Sequence, residues 1–186
     1  MIALSSGQIE GIVLVASLVA LAYAGLQTFL VLREDEGDAK MREIAAAIRE
    51  GAVAFLRREY TAVFLVAAIV AVLIALGFST STTVNSIDLA VGFLVGAAGS
   101  ALAGAVGMFV SVRANVRTAA HARRGHLGAT MSYAFRGGSV TGLSVAGLAL
   151  LELVGFYAVV GGNVLDMVGL LFGASLMSLF ARVGGG

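Results

Sequence analysis

The sequence contains no cysteine, no proline and no tryptophan, and only 12% of its 186 residues are charged. Without cysteine there is no disulfide framework, no thiolate metal site and no cysteine nucleophile. Without proline, no helix in the chain carries a proline kink. The scarcity of charge goes with 59% hydrophobic residues and a mean hydropathy of +0.99. A soluble domain is about 45 to 50% apolar and about 25% charged, so this chain cannot cover a water-facing surface and belongs in a bilayer. The net charge is +1, from 12 basic and 11 acidic residues, which excludes a global basic field for nucleic acid.

The charges fall in blocks between long apolar runs, as expected of helices that satisfy their own backbone in lipid. Five runs predict five spans, at about 12–32, 62–78, 87–112, 140–160 and 164–183. The first is long enough, at about 1.5 Å per residue, to cross a hydrocarbon core of about 30 Å. No basic segment precedes it, so it reads as a retained span and not a cleaved leader. Between the first two runs, residues 40–60 follow another pattern. Met41, Ile44, Ile48, Ala52 and Phe55 recur at three-to-four spacing, with Arg42, Glu43, Arg49, Glu50 and Arg57 opposite. That pattern predicts an amphipathic helix, either lying on the membrane surface or projecting as an extension of the second span. The stretch 33–38 before it reads as a solvated turn.

Orientation follows from the basic residues. Six lie in the first connection (Arg33, Lys40, Arg42, Arg49, Arg57, Arg58) and five in the third (Arg113, Arg117, Arg123, Arg124, Arg136). The second and fourth connections hold none, and Arg182 ends the fifth run. Alternating spans therefore put all twelve at one end. Basic residues are retained on the cytoplasmic side, so the N-terminus is expected outside. The fold class expected is all-α: a polytopic transmembrane helix bundle with five spans and an amphipathic helix on the cytosolic side.

On the outer side, Ser86 with Asp88 and Asn163 with Asp166 read as helix caps followed by first-turn carboxylates. Gly92, Gly96, Ser100 and Gly104 form a small-xxx-small stripe that lets helix backbones approach closely.

Catalytic motifs are absent: there is no GxxxxGK phosphate loop, no HExxH and no GxSxG elbow. His121 and His126 flank Arg123 and Arg124 and read as solvated loop histidines, not a metal site. Glu152 is the one carboxylate well inside a run. A carboxylate in the membrane needs a partner or a proton, which makes Glu152 a candidate relay residue, with an interfacial position past the helix midpoint as the plainer reading.

Four segments carry a more specific signal: EGAVAFLRREY (Glu50 to Tyr60), GAVGMFVSVRANVRTA (Gly104 to Ala119), AFRGGSVTGLSVAGLALL (Ala134 to Leu151) and FGASLMSLFARVGGG (Phe172 to Gly186). In order and spacing they resemble the membrane-bound pyrophosphatases, pumps that hydrolyse inorganic diphosphate and move protons or sodium ions. The likeness covers about three quarters of the chain.

The resemblance implies several things. Members of that family have about sixteen spans, so this chain is similar to the first five, and a truncation at 186 is expected. The family's lysine- and aspartate-rich motif, which binds diphosphate through Mg2+, follows this point, so no catalytic residue and no metal ligand is expected here. The isolated piece is expected to be inactive, and Glu34, Asp35, Glu36 and Asp38 read as a solvated turn. Arg182, before the terminal glycines, matches the family's ion gate, where it pairs with carboxylates on other helices. Without the family it would read as a snorkelling anchor. A homodimer, the lipid bilayer, and the plasma membrane of a prokaryote are implied as partners and location. A complete five-span transporter or channel subunit, or a non-catalytic scaffold assembled through glycine faces, are the alternatives.

Overall fold

Helical backbone dominates because an apolar chain with neither proline nor exposed sheet edges can satisfy its peptide groups only within each segment. A computed structural model describes residues 5–185. Five helices follow in order: α1 (Ser6–Leu32), α2 (Ala39–Gly77), α3 (Ser86–Arg123), α4 (Leu127–Val159) and α5 (Met167–Gly185). No strand occurs among the described residues. Helices α1 to α4 are each long and apolar enough to cross a membrane, and α5 is a shorter apolar helix. The chain is thus an integral membrane protein by length and composition.

Helix α3 is the central element. It packs against α2, α4 and α5, while α1 lies mainly on α4. α3 and α5 run parallel and nearly touch backbone to backbone. A Cβ on Gly96 would strike the Leu170 carbonyl, one on Gly173 the Phe93 carbonyl, and one on Gly169 the Leu89 carbonyl. The stripe foreseen on α3 therefore meets a second one, Gly169 and Gly173, on α5. Such crossings gain dispersion contacts that lipid cannot match. Against antiparallel α4 the fit is also close: Gly92 admits the Phe156 ring and Gly107 the Thr141 methyl. Helix α2 adds Ala67 and Ala71 against Phe93 and Ala97, all four buried. Tyr60 donates to the Ala101 carbonyl at 2.7 Å.

Two local expectations are corrected. The cap of α3 is Asn85, whose side chain accepts from the amides of Ile87 and Asp88, so Ser86 is already the first helical residue. Asp166 is not in a helical first turn. It sits before α5, 3% exposed, accepting from the Asn85 amide at 3.1 Å and from Asn163 Nδ2 at 2.7 Å. It ties the α2–α3 turn to the α4–α5 turn.

Residues 40–60 are continuous with the second apolar run in α2, a helix of 39 residues, about 58 Å long at about 1.5 Å per residue. α3 likewise runs to Arg123, well past the apolar stretch that ends at Val112. α4 starts at Leu127, well before the run beginning at Val140. A hydrocarbon core of about 30 Å cannot hold such lengths. Each excess lies at the basic end of its helix, so three helices project together beyond the apolar slab.

Candidate functional site

Two polar regions stand out. The first is built where the α1–α2 connection meets the projecting parts of α3 and α4. Gly37, at φ +85, turns the chain, its amide donating to Asp35 Oδ1 at 3.1 Å. Asp38 then caps α2 through the Met41 amide. Arg117 on α3, 6% exposed, fills the space behind this turn. Its Nε donates to the Glu34 carbonyl at 3.0 Å, its Nη2 to the Leu32 carbonyl at 3.1 Å, and its Nη1 to the Arg113 carbonyl at 2.7 Å. Nη2 also stands 3.2 Å from Glu36 Oε1, which Arg49 of α2 approaches at 3.4 Å. One guanidinium thereby satisfies carbonyls that the end of α1 leaves without helical partners.

The rim of this region is made of ion pairs. Arg123 meets Asp38, and Arg124 meets Asp35 at 2.5 Å. Both aspartates are held below the usual carboxylate range. For Asp35 the leading cause is the Gly37 amide and then Arg124; for Asp38 it is the Met41 amide and then Arg123. Behind the rim, His121 stacks on Tyr133 of α4, ring centroids 4.2 Å apart and planes within 7°. Tyr133 donates to Glu34 Oε1 at 2.5 Å, and His121 Nε2 lies 3.6 Å from Glu34 Oε2. The bond to Glu34, with burial second, pushes the Tyr133 phenol up from its ordinary value.

Two sequence readings are corrected by this arrangement. Residues 33–38 are not a freely solvated turn, because Glu34 and Glu36 are half-buried and all four carboxylates have partners. His121 is on a helix, with Glu34 beside it, whereas His126 is exposed at the start of α4. One signal was available for the helix: no breaker separates Val112 from Gly125, and Arg113, Arg117 and His121 recur every four residues. Nothing in the sequence foretells pairing partners more than eighty residues away.

No group of three or more His, Asp or Glu suited to a metal ion occurs among the described residues. The carboxylates of 34–38 do not fit a Mg2+ site. Each is already committed to a guanidinium, a phenol or a helix cap, whereas Mg2+ requires free oxygens in near-octahedral array.

The second region is a groove of about 680 Å3 beside α3, α4 and α5. Its lining is mostly apolar, interrupted by Tyr60, Ser100, Ser175, Ser178 and Arg182. Arg182 is exposed at the end of α5 and has no ion-pair partner among the described residues. Glu152 lies at the groove's edge: its carboxylate occupies the notch left by Gly99, which lines the groove. The structure does not pair Glu152 with Arg182.

Most of the arginines sort into two sets. At the projecting tip, Arg49, Arg117, Arg123 and Arg124 have carboxylates, while exposed Arg42 of the same region has none among the described residues and falls in neither set. Those bordering the apolar runs, Arg33, Arg57, Arg58, Arg113, Arg136 and Arg182, have none among the described residues. Three of the second set lie over aromatic rings of their own helix instead: Arg33 over Phe29 at 4.2 Å, Arg113 over Phe109 at 3.4 Å, and Arg136 over Tyr133 at 5.2 Å. Aromatic residues with snorkelling arginines are what a membrane–water boundary selects.

Residues 18–186 match the family described as inorganic H+ pyrophosphatase. A K(+)-insensitive pyrophosphate-energized proton pump of Methanosarcina mazei is 47% identical over 171 residues, covering 92% of this chain and 24% of the relative. A protein of the same description from Moorella thermoacetica, numbered 2, is 46% identical, over 91% of the chain and 25% of the relative. A K(+)-stimulated pyrophosphate-energized sodium pump of Thermotoga maritima is 40% identical, over 91% and 25%. The chain spans about a quarter of the length of these relatives.

Proposed function

We propose, from the premise that this chain belongs to the inorganic H+ pyrophosphatase family, that it forms the first helices of a membrane pump. That pump couples hydrolysis of inorganic diphosphate to movement of protons, or of sodium ions, across the membrane. Relatives of both kinds match the chain, so the family leaves the ion open. The N-terminus lies outside and the projecting, arginine-rich end in the cytosol, as the one-sided distribution of basic residues supports. The spans are those read from the sequence, at about 12–32, 62–78, 87–112, 140–160 and 164–183. The protein works as a homodimer in the plasma membrane of a prokaryote.

Mg2+ is the cofactor of the reaction and would neutralise the diphosphate oxygens as the bond breaks. Its ligands are assigned outside this chain, since the one cluster of carboxylates here, at 34–38, is committed to arginines, a phenol and a helix cap. The chain's own part is structural and ion-conducting. Arg182 is the ion-gate residue. One observation carries this reading: an unpartnered guanidinium opens onto an interhelical groove at the basic end of α5. A permanently charged group in a low-dielectric passage needs a carboxylate, and lowers that carboxylate's proton affinity while they are paired. Glu152, set over Gly99 at the edge of the same groove, is a subordinate relay position.

The test compares Arg182→Ala and Arg182→Lys in the full-length protein, measuring diphosphate hydrolysis and ion movement together. Ala is expected to abolish pumping and Lys, which keeps the charge without the planar fork, to impair it. Normal pumping per diphosphate by both variants would leave Arg182 as a boundary anchor only.

A further inference from the structure

The face of α2 turned away from the bundle carries an unexplained feature. Buried Ala45, Val63 and Ala67 point inward, while a shallow groove of about 890 Å3 runs along the opposite side. Arg49, Arg57 and Arg58 line it with Glu50, and exposed Val53 and Leu65 form its apolar walls. Arg57 and Arg58 are exposed and have no carboxylate within ion-pair distance among the described residues. They stand immediately before the apolar run that starts at Ala62, at the depth where lipid headgroups lie. Thr61 and Leu65, one and two turns further on, continue the stripe into that run.

We propose that this groove binds one anionic phospholipid, its phosphate held by Arg57 and Arg58 and an acyl chain lying along Leu65. Charge complementarity selects an anion: Arg49 is turned to Glu36, which leaves two guanidiniums, Arg57 and Arg58, beside a single carboxylate, Glu50, and the planar fork matches phosphate oxygens two at a time. The apolar continuation selects a lipid over a free phosphate, because a soluble anion gains nothing from Leu65. The paired arginines at the tip serve as a contrast, since carboxylates of this chain already occupy them.

Native mass spectrometry of the detergent-purified full-length protein, offered phosphatidylglycerol and phosphatidylcholine of equal chain length, tests this without reference to hydrolysis or pumping. Retention should favour phosphatidylglycerol. Arg57→Ala with Arg58→Ala should reduce that preference by about fivefold for each arginine, and Arg57→Lys with Arg58→Lys should keep much of it. Arg42→Ala, on the projecting part of α2, should change nothing. The Lys pair also guards against misfolding, because it retains the charge. An unchanged preference in the Ala pair overturns the proposal. Equal retention of both lipids by the parent protein also overturns it. Displacement of the lipid by equimolar inorganic diphosphate overturns it in favour of a soluble anion.

Discussion

Arg117 of α3 and Glu36 of the α1–α2 connection meet at 3.2 Å, with the arginine side chain 7% exposed and the glutamate side chain 22%. The same guanidinium holds the carbonyls of Leu32 and Glu34. α1 touches α3 little along its length, so this contact fixes its end against the central helix.

Arg117→Ala is therefore expected to destabilise the protein by about 1 to 3 kcal/mol, the cost of leaving two carbonyls without their donor and Glu36 with Arg49 alone. Arg117→Lys should recover only part of the loss, because one ammonium cannot reproduce the fork. Thermal unfolding followed by size-exclusion recovery checks both. Equal stability of the Lys variant and the parent would remove the fork from the argument.

The α3–α5 crossing makes a steric prediction. Gly173→Ala places a methyl group on the Phe93 carbonyl and Gly96→Ala places one on that of Leu170. Each should cost about 3 kcal/mol or more, because neither backbone can yield without moving a whole helix. Gly142→Ala and Gly155→Ala, where a methyl group meets nothing within 4 Å, should be neutral or mildly stabilising. Similar melting temperatures for all four variants would contradict the crossing.

The rim carboxylates give a pH dependence of definite sign. Asp35 and Asp38 have lowered values in the folded protein, so their contribution is present above the ordinary aspartate value of about 3.9. It is lost as pH falls through the lower folded values. Protection of the 33–38 amides from hydrogen exchange should thus drop on acidification below about pH 4. In Asp35→Asn with Asp38→Asn that drop should flatten. An equally steep response in the double variant would assign the acid sensitivity elsewhere.

Topology is open to thiol labelling, since the chain has no cysteine of its own. Ser81→Cys in the α2–α3 turn should react with impermeant reagents from outside only, and His126→Cys from the cytosolic side only. Both sites are exposed. His126 serves better than His121, which is half-buried against Tyr133. The reverse pattern would invert the assignment of the arginine-rich end.

Asp166 predicts coupling between the α2–α3 and α4–α5 turns. Asp166→Ala removes the acceptor for the Asn85 amide and for Asn163, at about 1 to 3 kcal/mol for buried donors left unpaired. Hydrogen exchange at both turns should rise together. A rise confined to 160–166 would show that the turns are independent.

The membrane character and the helical class were determined by composition and periodicity alone. Length of apolar run and absence of breakers act locally, so they survive without any knowledge of neighbours. The glycine stripe at Gly92 and Gly96 was equally legible, because a small residue every four positions marks a face whatever packs on it. The resemblance carried by segments such as ANVRTA and ARVGGG likewise needed no coordinates. What those segments hold onto was decided only by the tertiary structure. Arg117, within ANVRTA, finds Glu34 and Leu32 from more than eighty residues away, and Asp166 finds Asn85 at a separation of 81. Ion pairs and close crossings depend on which helices lie side by side, and one-dimensional spacing carries no such information. The sorting of arginines into paired and unpartnered sets, on which the lipid groove rests, emerges only when the folded chain brings Arg117, Arg123 and Arg124 against the carboxylates of 34–38.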